Sequence, residues 1–420
     1  MFTLPACLLF WTQDSLLVSE QGNFDNKQLT RKNYGFVTRD GTSGGKLWEV
    51  SADMPAWMTE YFDWHITERQ RLENNPNDWK SFRFIMLQCL PGSRKCGGTA
   101  DRLKPLPLFL LLAHRTKRLL FIKWGRPADL EEFLLPPQGG IDWRVPDWLY
   151  AIKEFREGPR ATNTEELIEF MENPEFPMVK ARVQAHDHGA PYYDGQRKDP
   201  SLEPTFAEVY HACWRILFTP APPIARLIEE QMQQAGLKPG NYVGIHIRAL
   251  YAVEERDPAL VQHWARNAVN CASQLQKGDP FYVSSDSEFA TKVAAEYGQE
   301  KQVHVASRIV HEGISHSQPY HLDKAPRTAK AVDFYDTFVD LYLLALSRCV
   351  TYNMGGFGTW ALYISPFAND KRQNPNGSCS MQHHEAAGIH KCEWAGEADA
   401  ERRDEYELSS TPLFIPPMTE

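Results

Sequence analysis

Tyr242-Val243-Gly244-Ile245-His246-Ile247-Arg248 decides how this chain is read. Val243, Ile245 and Ile247 alternate with Gly244, His246 and Arg248, the period of two of a strand, so His246 and Arg248 share a face where the strand ends. A guanidinium matches phosphate oxygens in bidentate geometry, and an imidazole meets a base edge or a sugar hydroxyl. Together they point to a nucleoside diphosphate. An Arg ending an apolar strand needs an anionic partner, either a ligand phosphate or a carboxylate of the chain itself.

Downstream, strands and helices alternate. Phe281-Tyr282-Val283-Ser284 reads as a strand, with Ser285 or Asp286 as N-cap of a helix from Glu288 to Tyr297, and Val303 to Val305 as a further short strand. Asp333 to Ser347 reads as a helix, Cys349 to Asn353 as a strand, and Gly355-Gly356-Phe357-Gly358-Thr359-Trp360 as a glycine-rich loop opening another helix. Ligands of open α/β sheets bind outside the carboxyl ends of strands, and His246 with Arg248, Ser284-Ser285-Asp286 and Gly356 to Trp360 all fall at such ends. The glycine loop offers free backbone N–H groups and the Thr359 hydroxyl to a phosphate, or serves only a tight turn. Asp340 lies beside Val339, Leu341 and Leu343 and points inward, or forms a solvated acidic stripe with Asp333 and Asp336.

Upstream, Phe84 to Leu87 reads as a strand entering a glycine-bearing loop from Gly92 to Gly98, followed by a helical stretch to His114 and the strand Leu119 to Trp124, a βαβ unit. Residues 125–205 are rich in Pro, Gly and charge, with a helix near Thr164 to Met171. From Phe206 to Gly236 the pattern is helical, broken at Pro220 to Pro223. These features divide the chain into an irregular N-terminal extension (1–80, with a helix around Met58 to Leu72), a first Rossmann-like lobe (81–215), a second (216–395), and a mobile acidic tail (396–420).

The 420 residues, 42% hydrophobic, support ordinary globular cores, and a net charge of -9 argues against broad binding to nucleic acid or anionic membrane. Met1 to Trp11 carries an apolar run without a basic region before it, a poor signal peptide, and no stretch approaches membrane-spanning length. Among the eight cysteines, Cys89 with Cys96 and Cys379 with Cys392 are spaced to close small disulfide rings. With the sequon Asn376-Gly377-Ser378, this leans toward the ER or Golgi lumen. No CxxC pair, HExxH or Asp-x-Asp occurs, which disfavours a metal, and His304, His311, His316, His321, His186 and His188 read as loop surface.

The ordered series Cys96-Gly97-Gly98-Thr99-Ala100-Asp101-Arg102-Leu103, Gly244-Ile245-His246-Ile247-Arg248, Tyr282-Val283-Ser284-Ser285-Asp286 and Asp340-Leu341-Tyr342-Leu343-Leu344-Ala345, running to Gly358-Thr359, resembles the GDP-fucose-dependent fucosyltransferases of the GT-B fold. That superfamily includes protein O-fucosyltransferases and core α-1,6-fucosyltransferases. The resemblance implies two Rossmann-like lobes facing a central cleft. It also implies that His246 and Asp340 contact guanine, and that Arg248, Thr359 and the Gly356 to Gly358 backbone hold the diphosphate. Asp286 would lie near the ribose or base, and the Gly97-Gly98 loop with Arg102 would close over the nucleotide. This chain departs from members with a double Arg after the His, having Ala249, and from a Gly-x-Gly-Asn loop, having Gly98-Thr99-Ala100-Asp101.

The implied chemistry is inverting transfer from GDP-fucose to a hydroxyl of a protein or glycan, without a metal or other cofactor. Glu254 or Glu255, just past the His-x-Arg strand, would take the acceptor proton, although Glu254-Glu255-Arg256-Asp257 also reads as a surface loop. Two other functions compete. Gly356-Phe357-Gly358-Thr359-Trp360-Ala361 satisfies the dinucleotide form G-x-G-x-x-A of an NAD(P)-dependent oxidoreductase, but too little sequence follows for a completing βαβ unit, and no suitably spaced acid ends a following strand. The third possibility is a sugar-nucleotide- or glycan-binding protein of the same fold without turnover.

Overall fold

The computed structural model describes residues 45–49, 54–91, 96–183, 189–200, 202–249, 257–276, 278–308, 329–353, 355–368, 379–386 and 389–394. Its strands are β1 (Phe84–Cys89), β2 (Leu119–Trp124), β3 (Leu134–Leu135), β4 (Arg160–Ala161), β5 (Met178–Ala181), β6 (Thr219–Pro220), β7 (Val243–Ile247), β8 (Phe281–Ser285), β9 (Val305–Ser307), β10 (Cys349–Tyr352), β11 (Ser380–Ala386) and β12 (Ile389–Trp394). They form a four-stranded sheet in the order β2-β1-β5-β4, a six-stranded sheet in the order β12-β11-β10-β7-β8-β9, and the small pair β3-β6. Pairing is parallel throughout the first sheet, and in the second every pair is parallel except β11 with β12. Parallel strands covered on both faces read as unbroken apolar runs, and β1 and β7 are buried at every position.

The expected βαβ unit exists, with β1 returning through the helices Thr99–Leu103 and Leu106–Thr116 to β2 in parallel register. The expected extension needs correction. Its helix, Ala56–Asn74, belongs to the core of the first sheet, because Met58, Tyr61 and Phe62 are fully buried. Tyr61 Oη accepts from the Leu120 N–H and donates to the Arg118 carbonyl, while His65 Nε2 lies 3.2 Å from the Leu120 carbonyl on β2. The boundary placed between 215 and 216 falls inside the helix Phe206–Leu217.

Two further expectations are overturned. Cys89 is joined to Cys96, but Cys379 is joined to Cys349 and Cys392 to Cys271. In the antiparallel β11–β12 hairpin Cys392 faces His383, so Cys379 stands about 13 Å away along the strand, beyond disulfide reach. Parallel pairing of β10 with β11 sets Val350 opposite Ser380 and so brings Cys379 beside Cys349. The same hairpin corrects the argument that too little chain follows the glycine loop. β10, the helix Gly356–Ile364 and β11 complete a βαβ unit, with Glu385 near the end of β11. The acidic tail, the sequon, His186, His188, His311, His316 and His321 lie outside the described residues.

Burial pushes His65 down from 6.5 to about 4. Its folded-state value lies below that of the unfolded chain, which therefore takes up the proton first. The stabilisation is complete above pH 6.5 and is lost as pH falls. On the order of 3 kcal/mol is expected to disappear from this one histidine by about pH 4. Urea denaturation at pH 7.5, 6 and 4.5 checks this: His65→Gln should show a shallower acid loss than the parent chain, and parallel curves would refute it.

Candidate functional site

The carboxyl ends of β7, β8 and β10 lie side by side, with His246 opposite Tyr352 on one flank and Ser284 on the other. Just past β7, the Arg248 N–H donates to Asn353 Oδ1 (2.7 Å) and the Arg248 carbonyl accepts from Asn353 Nδ2 (3.1 Å). Asn353 thereby ties the end of β10 to the end of β7. The Arg248 guanidinium meets Asp286 at 2.6 Å, and the other Asp286 oxygen accepts from the Ala249 N–H at 2.7 Å. The anionic partner that Arg248 requires is thus present within the chain, and this contact fixes the direction in which its remaining donors point.

Asp286 is available for that role because it does not cap the next helix. The expected cap, Ser285 or Asp286, is replaced by Ser287, whose hydroxyl accepts from the Ala290 N–H at 3.0 Å at the start of the helix Glu288–Glu300. Ser285 instead donates to the Ile247 carbonyl at 2.7 Å.

His246 is only 5% exposed, and its Nδ1 makes no hydrogen bond. Burial first, then the nearby charges of Arg248 and His383, push it down to about 3. It is neutral at physiological pH, so it offers hydrogen bonds and contributes no positive charge. Its carbonyl lies 3.2 Å from His383 Nε2 of β11, and its ring lies 5.3 Å from that of Phe357.

Phe357 belongs to the first turn of the helix Gly356–Ile364, preceded by Gly355 at φ 88°. That turn leaves its leading N–H groups without helical acceptors and concentrates the positive end of the peptide dipoles. Gly358 is required by close approach: a Cβ there would stand 2.5 Å from Tyr352 Cβ and 3.1 Å from His246 Nδ1. Thr359 is half-buried in the following position. The helix is anchored by Trp360 Nε1, which donates to Tyr210 Oη, which in turn donates to the Leu103 carbonyl.

Asp340 lies on the helix Tyr335–Ala345 and points inward at 3% exposure. Its two oxygens accept from Tyr282 Oη (2.6 Å) and Ser284 Oγ (2.9 Å), both on β8. Burial raises its carboxyl pKa, opposed by Arg308 and these two hydroxyls. Arg308 follows β9 and stands 3.8 Å from Asp340 and 3.6 Å from Asp336, yet its buried Nε and Nη1 make no hydrogen bond.

At the carboxyl end of β1, the disulfide Cys89–Cys96 ties down the entry to Gly97 and Gly98. Gly97 takes φ 78°, and its carbonyl accepts from Arg102 Nε at 3.1 Å. Arg102 Nη1 donates to the Arg126 carbonyl at 2.6 Å, and the guanidinium lies 4.7 Å from the Trp124 ring. Arg102 therefore holds the loop in shape. Glu254 and Glu255 lie outside the described residues. Among the described residues, no group of three or more His, Cys, Asp or Glu side chains is arranged to hold a metal ion.

Asn353, Arg308 and His383 escaped the sequence reading. Arg308 had a faint signal, a basic residue ending a short strand as Arg248 does. His383 had none, because its strand was not foreseen.

No family model matches the chain, and no curated protein matches its sequence. Among solved structures it is similar to an Arg-to-Lys variant of Arabidopsis thaliana FUT1 in complex with GDP, at 12% identity and TM-score 0.50, covering 86% of this chain and 89% of that one. It is also similar to the fucosyltransferase NodZ from Bradyrhizobium, at 14% identity and TM-score 0.44, covering 74% of this chain and 98% of that one. A NodZ alpha-1,6-fucosyltransferase soaked with GDP-fucose matches at 14% identity and TM-score 0.46, over 74% and 98% of the two chains. The mixed α/β architecture with parallel sheets is shared with the FUT1 structure.

Proposed function

We propose that the chain is an inverting, metal-independent fucosyltransferase of the GT-B fold. It binds GDP-fucose between two Rossmann-like lobes, one around the four-stranded sheet, with the helix Ala56–Asn74 added, and one around the six-stranded sheet. One arrangement carries the proposal. The strand end bearing Arg248, oriented by Asp286 and Asn353, lies beside the N-terminus of the helix Gly356–Ile364, where a diphosphate would meet guanidinium and backbone donors together.

In this reading the unpartnered His246 Nδ1 and the Asp340 carboxylate face guanine, and Asp286 lies near the ribose. The acceptor hydroxyl attacks C1 of fucose, the bond from C1 to the phosphate oxygen breaks with inversion, and GDP carries away the electron pair. Glu254 or Glu255 takes the acceptor proton, and Arg248 with the helix N-terminus stabilises the departing diphosphate. The acceptor is a protein or a glycan. Three disulfides suit passage through the ER and Golgi lumen.

The second reading, an NAD(P)-dependent oxidoreductase, gains from the βαβ unit completed by β11 with Glu385 near its end. The likeness to FUT1 favours the first. Saturation-transfer NMR with GDP, UDP and NAD separates them. The expected result is signal transfer to GDP and fucose transfer or hydrolysis of GDP-fucose. Preference for NAD would install the oxidoreductase, and GDP binding without turnover would leave a sugar-nucleotide-binding protein.

A further inference from the structure

We propose that the cleft between Trp79 and Trp148, at the amino end of β1, binds a neutral oligosaccharide whose rings stack on the two indoles. The site stands apart from the donor site and does not depend on it.

The cleft grows out of a satellite core on the four-stranded sheet. Phe84 of β1 and Phe121 of β2 share a face of that sheet, and Phe82, Leu149 and Phe155 are buried with them. Trp79, Trp148 and Ile152 pack half-buried against this core. Trp79 comes from the turn of helix Pro76–Ser81 that leads into β1, and Trp148 from the helix Asp147–Ala151. Each indole is therefore held from behind, so little ordering is left for a ligand to impose. The cleft measures about 490 Å³, within the roughly 300–1,000 Å³ of small-molecule sites, and Glu73, Pro76 and Asn77 complete its lining. β1 runs about 17 Å from Phe84 to Cys89, and the disulfide and Gly97-Gly98 loop lie beyond its other end, so the cleft is at the opposite edge of this sheet from the loop assigned to the nucleotide.

The chemistry of the lining selects the ligand. An indole offers a flat apolar face with an N–H at its edge, which matches the C–H face of a pyranose and one of its hydroxyls. Among the described residues neither Trp79 nor Trp148 stacks on another ring, and neither Nε1–H has a protein acceptor. Glu73 is held by Arg69, whose Nε donates to Oε1 at 2.8 Å, and Oε2 is left for an incoming donor. Asn77 adds an amide, both donor and acceptor. Sugar hydroxyls donate and accept, and so suit the indoles, the carboxylate and the amide together. A proline-rich segment also docks on aromatic grooves, but it has almost no N–H groups to give a carboxylate. The six lining residues include one acid and no base, which favours a neutral sugar over a sulfated or uronate one. Lys80, whose Nζ sits 5.5 Å over the Trp79 ring, is exposed and outside the lining.

Calorimetric titration of the full chain with cellotetraose, maltotetraose and octaproline tests this, repeated on Trp148→Ala, Trp148→Phe and Glu73→Gln with GDP affinity and melting curves recorded alongside. The parent should bind at least one tetrasaccharide; Trp148→Ala should weaken it roughly 10-fold or more, Trp148→Phe should recover most of that loss, and Glu73→Gln should weaken it roughly fivefold. GDP affinity should stay that of the parent in all three variants. Glu73 is exposed, so Glu73→Gln decides the matter even where Trp148→Ala fails to fold. A tetrasaccharide bound equally well by the parent and the variants, or not bound by the parent up to about 10 mM, would overturn the proposal. Octaproline bound in its place and lost in Trp148→Ala would overturn it in favour of a proline-rich partner. A parent that binds the tetrasaccharide with these losses but does not bind GDP would sink the donor-site reading and leave the cleft standing.

Discussion

Arg248→Ala is expected to weaken GDP binding by roughly 100-fold and to reduce turnover of GDP-fucose at least as much, because it removes a charged fork that no neighbour among the described residues replaces. Ala249 occupies the next position, and Arg308 is directed at Asp336 and Asp340. The substitution also takes from Asp286, whose side chain is only 9% exposed, its guanidinium partner, while the Ala249 N–H stays bonded to it. Part of any loss would then reflect a buried carboxylate deprived of this counter-charge. The double variant Arg248→Ala/Asp286→Asn removes that charge. If the double variant recovers the parent melting temperature but not GDP affinity, the guanidinium acts on the ligand; if affinity returns with stability, Arg248 is a structural ion pair and the donor site is misassigned.

A second large effect is expected at Arg118, immediately before β2, which takes no part in binding. It is fully buried, and its guanidinium donates only to carbonyls: Met171 and Asn173 at the end of the helix Thr164–Glu172, Phe176 and Pro177 before β5, and Phe84 on β1. Burial, then the neighbouring Arg83, pull its pKa below the ordinary arginine value. The carbonyls of a helix end and of two strand starts converge there; Arg83 also reaches that of Asn173 and the Phe84 N–H that of Pro177, but Arg118 alone joins them all. Arg118→Met keeps the bulk but orphans several buried acceptors, and a loss of about 4 kcal/mol is expected in urea denaturation. A variant as stable as the parent would show that the carbonyl cage merely repays the cost of burying the charge.

Much of the fold was legible because parallel strands buried on both faces announce themselves as short apolar runs. β1, β2, β7, β8 and β10 appear where those runs lie. β11 and β12 were missed because their sequence, Ser380 to Ala386 and Ile389 to Trp394, mixes His, Glu and Lys with apolar residues. The helix Ala56–Asn74 was visible, but its place in the core was not, because polar residues surround the buried Met58, Tyr61 and Phe62.

The sequence alone determined that His246 and Arg248 end one strand and that a glycine-opened helix follows another, since alternation and helix-start signals act over a few residues. Only the tertiary structure decided who meets whom there. Asp286 turned to Arg248 because Ser287 took the cap, and Cys379 joined Cys349 because β11 lies beside β10. Such contacts depend on strand order and helix packing between segments far apart in the chain, and no local pattern encodes that distance.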